Sequence, residues 1–340
     1  MTAPTDPLAG LEPDVRDAIL RNDLASFTQM AFRILKGGEP LIWAPYLDLI
    51  CANLQDVAFG HTPKLIITLP PRFLKSICGS VALPAFFLGH NPSLDVMCVS
   101  YAQEIARGFG EDTRKIMAHP DYKRLFETRL VSERAAPRLL RTVQNGKRLA
   151  TSIDGVATGL GANLLIFDDP QKAGETLSDA IRRSTNEALE RTFLSRQNDP
   201  QKERIVIIMQ RLHEDDFVGH ALGLGGDWKL INLPAIAEED EVWTYETFLG
   251  EHEWRRQEDE SLHPERFPVA MLEQRRAQSG EAIWAGQYQQ REHVHHLHKN
   301  ENAVWPAVGG QPSIAPSACS SSRVHRGSEG GGAESSTFDG

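Results

Sequence analysis

The sequence predicts an α/β fold in which a largely parallel β-sheet is covered by helices on both faces. Three observations support this prediction: short apolar runs recur along the chain, they lack polar alternation, and helical periodicities separate them. Runs without alternation are typical of strands that are buried on both faces, as in parallel sheets. The predicted strands share this character and span residues 64–69, 94–99, 148–153, 164–167 and 205–209.

Apolar residues spaced three and four positions apart predict the helices between these strands. The predicted helical segments cover residues 12–35, 102–117, 178–197 and 268–278. The predicted buried stripe of the third segment consists of Ile181, Ala188, Leu189 and Phe193. Before the strand at 148, Asn145-Gly146 is typical of a β-hairpin with a type I′ turn.

Changes in composition divide the chain into four predicted segments. These are an N-terminal arm (1–24), a main domain (25–227), a closing segment and linker (228–290) and a tail (291–340). The tail begins with closely spaced histidines and continues as a Ser/Gly-rich run that cannot bury enough apolar surface to offset its ordering entropy. We therefore expect a disordered tail, and no native metal site at its histidines.

Composition favours an intracellular protein. The 340 residues carry a formal net charge of −10, which argues against a chain that coats nucleic acid through bulk charge. No apolar run reaches transmembrane length, and the N-terminus lacks the features of a secretory signal. Three of the four cysteines, Cys51, Cys78 and Cys98, lie in apolar stretches and are typical of reduced core thiols. These features predict a cytoplasmic location and no membrane partner.

The most informative stretch is residues 64–76, where an apolar strand enters a tight turn that ends in Lys75-Ser76 and opens a helix. A helix N-terminus offers unpaired N–H donors to a phosphate. Lys75 is positioned to reach phosphate oxygens, and Ser76 to complete the shell of a Mg²⁺ ion. The pattern G-x-x-x-x-G-K-[ST] would place glycine where this chain has Leu69 and Leu74. An ordinary turn with a solvent-facing lysine therefore remains an alternative.

Two carboxylates, Asp168 and Asp169, follow the buried strand at 164–167. In open α/β sheets, ligands bind at the carboxyl ends of the strands. Asp168 is predicted to hold Mg²⁺ and Asp169 to orient or deprotonate an attacking water. The alternative is an Asp-Asp-Pro turn without a catalytic role.

The strand at 205–209 ends in Gln210 and Arg211. These two polar residues are candidates to sense the γ-phosphate and to transmit its loss. The alternative is a surface ion pair of Arg211 with Glu214 or Asp215, which would contribute little.

Together these motifs resemble the large terminase subunit of tailed phages, the ATP-driven motor that packages DNA into the capsid. The resemblance spans about residues 25 to 290. Its phrases, in chain order, are Leu69-Pro70-Pro71-Arg72-Phe73-Leu74-Lys75-Ser76, Val99-Ser100-Tyr101-Ala102, Thr158-Gly159-Leu160-Gly161-Ala162, Asp168-Asp169-Pro170, Gln210-Arg211-Leu212-His213-Glu214-Asp215-Asp216, Leu233-Pro234-Ala235-Ile236-Ala237-Glu238-Glu239 and Tyr288-Gln289-Gln290.

The resemblance implies a RecA-like P-loop NTPase fold that binds ATP and Mg²⁺. The residues that it places around the nucleotide are Pro71, Arg72, Phe73, Leu74, Lys75 and Ser76. Arg72 resembles the family arginine that approaches the γ-phosphate; pairing with one of the twin acids is its alternative. Gln210 and Arg211 would form the coupling motif. Asp169 stands where most such ATPases have glutamate. The aromatic segment 43–48 lies in the family's base-binding region, although its Trp and Tyr are also typical core residues.

The resemblance implies as partners double-stranded DNA, the small terminase subunit, the portal protein and further copies of the chain in a ring. Arginines and lysines that are candidates for a local DNA-binding strip are Lys123, Arg124, Arg129, Arg134, Arg138, Arg141, Lys147, Arg148, Arg182, Arg183, Arg191 and Arg196. The family's nuclease domain has no counterpart in the tail, so we expect no nuclease activity. The alternatives are a non-catalytic prophage remnant and another DNA-dependent, helicase-like ATPase.

Overall fold

The computed structural model describes residues 8–132, 136–155, 160–202 and 204–291. Several sequence-based predictions lie outside the described residues. They concern the tail from residue 292 onwards with its histidines, residues 1–7 of the arm, Arg134 of the basic strip, and Thr158-Gly159 of the resembling phrases.

Seven strands form the main sheet. In chain order they are β1 (Lys64–Thr68), β2 (Asp95–Ser100), β3 (Leu139–Arg141), β4 (Lys147–Ser152), β5 (Leu164–Asp168), β6 (Ile205–Met209) and β7 (Trp228–Asn232). Their order across the sheet is β3-β4-β2-β5-β6-β1-β7. All neighbouring strands are parallel except β3 and β4. The predicted α/β fold with a largely parallel sheet is therefore confirmed, and β6 lies between β1 and β5.

Helices flank the sheet on both sides. They are α1 (Pro13–Asn22), α2 (Leu24–Leu35), α3 (Pro45–Phe59), α4 (Leu83–His90), α5 (Gln103–Ala118), α6 (Pro120–Leu125), α7 (Asp179–Ala188), α8 (Phe217–Gly223) and α9 (Val269–Ser279). A π-helical turn, Ile77–Ala82, leads directly into α4. The predicted helix 12–35 is two helices because Asp23 adopts an extended conformation and caps α2 by accepting the Ser26 N–H.

The two faces of the sheet enter separate hydrophobic clusters, because successive side chains of a strand point to opposite faces. Leu65 and Ile67 of β1 pack in the cluster that includes α2, α3 and α4. Ile66, between them, packs in the cluster on the other face, which includes α8. The predicted core thiols Cys51, Cys78 and Cys98 are buried and free, all on the side of the first cluster. Burial on both faces explains the unbroken apolar runs in the sequence.

The predicted hairpin is present as the antiparallel pair β3 and β4, but the predicted turn type is wrong. Asn145 has φ +72°, whereas Gly146 is outside the left-handed region that a type I′ turn requires at both positions. The glycine serves a different purpose here. A Cβ at Gly146 would lie 2.4 Å from the Pro92 carbonyl oxygen, so the close approach of that backbone excludes a side chain.

The predicted buried stripe of the segment 178–197 is correct for Leu189 and Phe193 and wrong for Ile181, which is 44% exposed. The inward face of α7 is polar instead, with Arg182, Thr185 and Asn186 buried. Arg182 donates to the Thr176 carbonyl oxygen at 2.8 Å, which satisfies a buried backbone group. Apolar periodicity cannot mark a face that is built from hydrogen-bonding side chains.

Two predicted members of the basic strip are not on the surface. Arg148 is fully buried at 0% exposure, and Arg182 is 9% exposed. Neither side chain is available for a surface DNA contact in this conformation.

The segment after residue 227 continues the same fold. β7 pairs with β1, and a two-stranded hairpin follows, formed by β8 (Glu241–Thr247) and β9 (Gly250–Arg256). The buried Arg256 pairs with Glu241 at the base of this hairpin. No helix among the described residues is long and apolar enough to cross a membrane.

Candidate functional site

The turn after β1 forms an open backbone loop at the carboxyl end of the sheet. Arg72 has φ +72° and Leu74 has φ +65°, so both adopt the left-handed conformation. Leu74 thus has the backbone that glycine would favour, at a cost of roughly 1–2 kcal/mol for a residue with a side chain. The backbone N–H groups of Arg72, Phe73 and Leu74 donate to no acceptor among the described residues. Successive free N–H groups in such a loop form a concave site for an anion.

Phe73 anchors the loop to the protein core. Its ring is fully buried and stacks on Phe267 with ring centroids 4.6 Å apart. Tyr46 packs edge-on against Phe73 and donates its hydroxyl to the Phe73 carbonyl oxygen at 3.2 Å. The Phe73 side chain therefore positions the loop. Because this side chain is buried, only the backbone of Phe73 is available to a ligand. Tyr46 is a core residue, in agreement with the simpler interpretation of the aromatic segment 43–48.

Lys75 and Ser76 meet the twin acids. The Lys75 ammonium lies 2.8 Å from Asp169 Oδ1, and the Ser76 hydroxyl donates to Asp168 Oδ1 at 3.1 Å. Lys75 is only 5% exposed, which excludes the ordinary turn with a solvent-facing lysine. Backbone hydrogen bonds to β6 hold both the loop and the acids in place. The Leu69 N–H donates to the Met209 carbonyl oxygen, and the Asp169 N–H donates to the Ile208 carbonyl oxygen.

The environment of Asp168 disfavours its charge. Asp168 is 2% exposed, and burial, followed by the neighbouring carboxylate of Asp169, raises the pKa of Asp168 to about 6. Its Oδ2 is buried and accepts no hydrogen bond from any described residue. An orphaned carboxylate oxygen beside the hydroxyl of Ser76 is the donor set that a hard cation such as Mg²⁺ prefers. Asp168 and Ser76 therefore fit a magnesium site.

The two residues that follow β6 differ in environment. The Gln210 side-chain oxygen is buried and has no hydrogen-bond partner among the described residues. Because β6 lies between β1 and β5, Gln210 leaves the sheet between the loop and the acids. Arg211 is 5% exposed and donates from Nε to Asp216 Oδ2 at 3.0 Å. The alternative of a surface pair with Glu214 or Asp215 is therefore wrong, since the ion pair is buried and uses Asp216.

Asp216 is a site-supporting residue that the sequence analysis missed. It is fully buried, and it caps α8 by accepting the N–H groups of Val218 and Gly219 while it pairs with Arg211. Gln290 adds a second support by accepting the Arg211 backbone N–H at 2.9 Å. An aspartate just before an apolar helical run is a capping signal that could have identified Asp216.

Arg72 is the exposed member of the loop. Its guanidinium forms no ion pair with any carboxylate of the described residues, so the alternative of pairing with the twin acids is not observed. Asp169 forms its ion pair with Lys75 instead. The Arg72 side chain is thus free to reach a ligand or a neighbouring molecule at this edge.

No protein-family model matches the chain, and none of the curated proteins is significantly similar to it. Among solved structures, the chain is similar to the large terminase of bacteriophage HK97, with 16% identity, a TM-score of 0.41, and coverage of 63% of this chain and 43% of that one. It is similar to a variant of the large terminase ATPase domain of Thermus phage P74-26, with 14% identity, a TM-score of 0.42, and coverage of 68% and 91%.

A third similar structure is the large terminase of the thermophilic bacteriophage D6E in complex with ADP, with 6% identity, a TM-score of 0.40, and coverage of 69% of this chain and 51% of that one. The chain thus spans about half the length or less of two of these three proteins.

Proposed function

We propose that this chain is the ATP-hydrolysing motor domain of a phage DNA-packaging terminase, active in the cytoplasm of the bacterial host. One observation carries the proposal. Lys75 and Ser76, at the end of the loop after β1, lie within 2.8 and 3.1 Å of the twin acids at the end of β5. A cation, a hydroxyl and two carboxylates that meet beside free backbone N–H groups are the parts needed to bind a magnesium-bound triphosphate.

Different residues around the loop would bind the phosphates and the Mg²⁺ ion. The free N–H groups of residues 72–74 would contact phosphate oxygens, and Lys75 would add charge at the β- and γ-phosphates. Asp168 and Ser76 would hold Mg²⁺, which when bound neutralises charge on the phosphates. Leu74 already has the conformation that the absent glycine would provide.

The ion pair between Lys75 and Asp169 suggests how binding prepares the reaction. The Lys75 ammonium lies 2.8 Å from Asp169 Oδ1. Phosphate oxygens compete for the same ammonium, so nucleotide binding would release Asp169. The freed carboxylate would then orient an attacking water and accept its proton. Arg72, exposed at the same edge, would approach the γ-phosphate and stabilise transition-state charge.

The coupling role remains with Gln210 and Arg211. Gln210 leaves the sheet between the loop and the acids with an unpaired side-chain oxygen, so it is suited to respond to the γ-phosphate. Arg211 would transmit that response through its buried contacts with Asp216 and Gln290.

The resembling motif phrases support the terminase assignment within the broader class of P-loop ATPases. The partners we propose on that basis are double-stranded DNA, the small terminase subunit, the portal protein and further copies of this chain in a ring. A net charge of −10 requires that any DNA contact be local.

The test is ATP hydrolysis by the purified chain with and without double-stranded DNA. We expect Mg²⁺-dependent turnover that DNA stimulates and that rises more than proportionally with protein concentration, because ring assembly brings neighbouring subunits together. Absence of hydrolysis at every concentration would contradict the proposal and favour a non-catalytic remnant. Stimulation by single-stranded but not double-stranded DNA would favour a helicase-like ATPase.

A further inference from the structure

The β8–β9 hairpin ends in an exposed apolar turn. Phe248 and Leu249 connect the two strands, since Thr247 pairs with Gly250. Phe248 is 51% exposed and Leu249 is 64% exposed. Short hairpin turns usually contain Gly, Asn or Asp, and here only Gly250 has a positive φ, +114°. The backbone at Phe248 and Leu249 would therefore accept polar residues, and it does not explain why two large apolar side chains are exposed.

The hairpin is held in place from its inner side. Trp243, Tyr245 and Trp254 pack against the hydrophobic cluster that includes α3. At the turn, the Thr247 hydroxyl oxygen accepts the Leu249 N–H at 3.1 Å. The outer side of the hairpin and its apolar turn are thus presented to solvent on an ordered support.

Two glutamates face each other directly below this turn. Glu246 pairs with Glu251 across the strands, and both are exposed. The ion pairs of the hairpin use other glutamates, so neither of these two forms one among the described residues. Like charges directly opposite each other destabilise an antiparallel pair. The hairpin tip, residues 246–251, therefore combines exposed apolar surface with uncompensated negative charge, and a basic, partly apolar partner would compensate both.

A patch of the opposite charge lies beside β3. The Val131 N–H donates to the Arg141 carbonyl oxygen and the Val143 N–H to the Arg129 carbonyl oxygen, both at 2.9 Å. Thr142, between the paired positions, is buried, so its neighbours point outward. Val131 is accordingly 65% exposed and Val143 is 61% exposed.

Arginines accompany the two valines. Arg138 and Arg141 are exposed, and neither forms an ion pair with a described residue. Arg129 donates from its guanidinium to three backbone carbonyl oxygens, so no carboxylate neutralises its charge there. This valine patch, residues 129–131 and 138–143 without the masked segment between them, has the same make-up as the hairpin tip with the opposite charge.

The two surfaces lie on different sides of the fold. β3 and β7 are the opposite edges of the seven-stranded sheet, and six strand spacings of about 4.8 Å separate them by roughly 29 Å. β8 follows β7 and lies against α3, which contacts β1 near the β7 edge. The hairpin tip of one copy can therefore meet the valine patch only of another copy. Contacts between two different surfaces of identical chains build rings or filaments.

We propose that the hairpin tip of one copy of this chain docks on the valine patch of the next copy. The apolar turn would cover the two valines, and the paired glutamates would approach the arginines. Double-stranded DNA would use the arginines but leave the valines exposed, so a protein partner fits the patch better. The role of this contact in a ring rests on the proposed function, whereas the contact itself does not require hydrolysis.

Sedimentation velocity at a series of protein and NaCl concentrations tests the contact. We expect wild-type protein to self-associate, and salt to weaken the association. The tip variant Glu246→Arg/Glu251→Arg and the patch variant Arg138→Glu/Arg141→Glu should each weaken it by about tenfold or more, because like charges then meet. A 1:1 mixture of the two variants should associate again, and so should a chain with all four substitutions, because opposite charges meet in both.

The control is Glu39→Arg/Asp227→Arg, which changes the net charge as much as the tip variant does, at two other exposed positions. It should associate like wild type. Phe248→Ser/Leu249→Ser tests the apolar part of the contact without a change of charge, and it should also weaken association. This variant provides an independent measurement if a charge-reversal variant does not fold.

Wild-type protein that stays monomeric at every concentration would overturn the proposal. Wild-type association of either charge-reversal variant, or no recovery in their mixture, would overturn it as well. If the patch variant associates like wild type but loses binding of double-stranded DNA, the patch is a DNA contact instead. The tip variant should bind a non-hydrolysable ATP analogue with MgCl₂ like wild type. If wild type itself does not bind the analogue, the proposed function fails, while sedimentation still decides the contact.

Discussion

Replacing Asp168 with asparagine should stabilise the nucleotide-free protein while it abolishes Mg²⁺-dependent hydrolysis. Asp168 is buried, and its pKa is raised from 3.8 to about 6, first by burial and then by the charge of Asp169. A shift of about two units corresponds to about 3 kcal/mol. Asparagine keeps the shape of the side chain without the buried charge, so up to about 3 kcal/mol should be regained where the aspartate is ionised.

The sign of the pH dependence follows from the direction of the shift. Because the pKa of Asp168 is higher in the folded state, the folded protein binds the extra proton between about pH 4 and 6. The stability that this proton contributes is complete below about pH 4 and is lost as the pH rises through 6. The advantage of Asp168→Asn should therefore be near zero at about pH 4, grow up to about pH 7, and then remain constant.

Urea denaturation without magnesium or nucleotide, followed by tryptophan fluorescence between about pH 4 and 8, measures this difference. The control is Glu39→Gln, which removes an exposed carboxylate that forms no ion pair with any described residue. A stability difference for Asp168→Asn that stays constant, or that shrinks as the pH rises, would refute the reasoning.

Three further substitutions test the supports of the site. Phe73→Ala should lower the free energy of unfolding by about 3–5 kcal/mol, because it empties a buried position between two aromatic rings, and it should weaken nucleotide binding. Leu74→Gly should preserve nucleotide binding, whereas Leu74→Ile should weaken it, because a β-branched residue is disfavoured at φ +65°. Arg211→Met should cost about 3–5 kcal/mol of stability, because it leaves the buried Asp216 without its ion-pair partner. Chemical denaturation and nucleotide titration measure all three.

Each of these expectations has an opposing outcome. A Phe73→Ala protein with wild-type stability would show that the loop is not anchored by this ring. Equal nucleotide affinity of the two Leu74 variants would show that the left-handed backbone is not needed. Arg211→Met should be compared with Arg211→Met/Asp216→Asn, which removes both charges. If the double variant is no more stable than the single one, an uncompensated charge is not the cause.

The strands were predictable because each presents an unbroken apolar run, the direct consequence of burial on both faces of the sheet. The meeting of Lys75 with Asp169 was also predictable. Both residues follow parallel strands, and the carboxyl ends of parallel strands share one edge.

Other features of the site depend on contacts that the sequence does not display. The left-handed backbone of Leu74 runs against its residue type, and it is compatible with the fold because Phe73 is fixed in the core. In the sequence, Glu214 and Asp215 are nearer to Arg211 than Asp216 is. The structure pairs Arg211 with Asp216, which is buried, whereas Glu214 and Asp215 are exposed.

The sequence analysis was least accurate for the buried arginines. A charged residue in a sequence suggests a solvated surface, so Arg148 was grouped with a basic strip. Its hydrogen-bond partner, Ser80, lies 68 positions away in the chain.

The most direct test of the central claim is equilibrium binding of a fluorescent, non-hydrolysable ATP analogue with MgCl₂ or with EDTA. Wild-type protein should bind the analogue in a Mg²⁺-dependent manner, and Lys75→Ala should lose about tenfold or more in affinity, as expected for charge-assisted hydrogen bonds. Lys172→Ala, which removes an exposed lysine from the same edge, should bind like wild type. Wild-type affinity in Lys75→Ala, or binding that ignores magnesium, would contradict a triphosphate site formed by Lys75 and the twin acids.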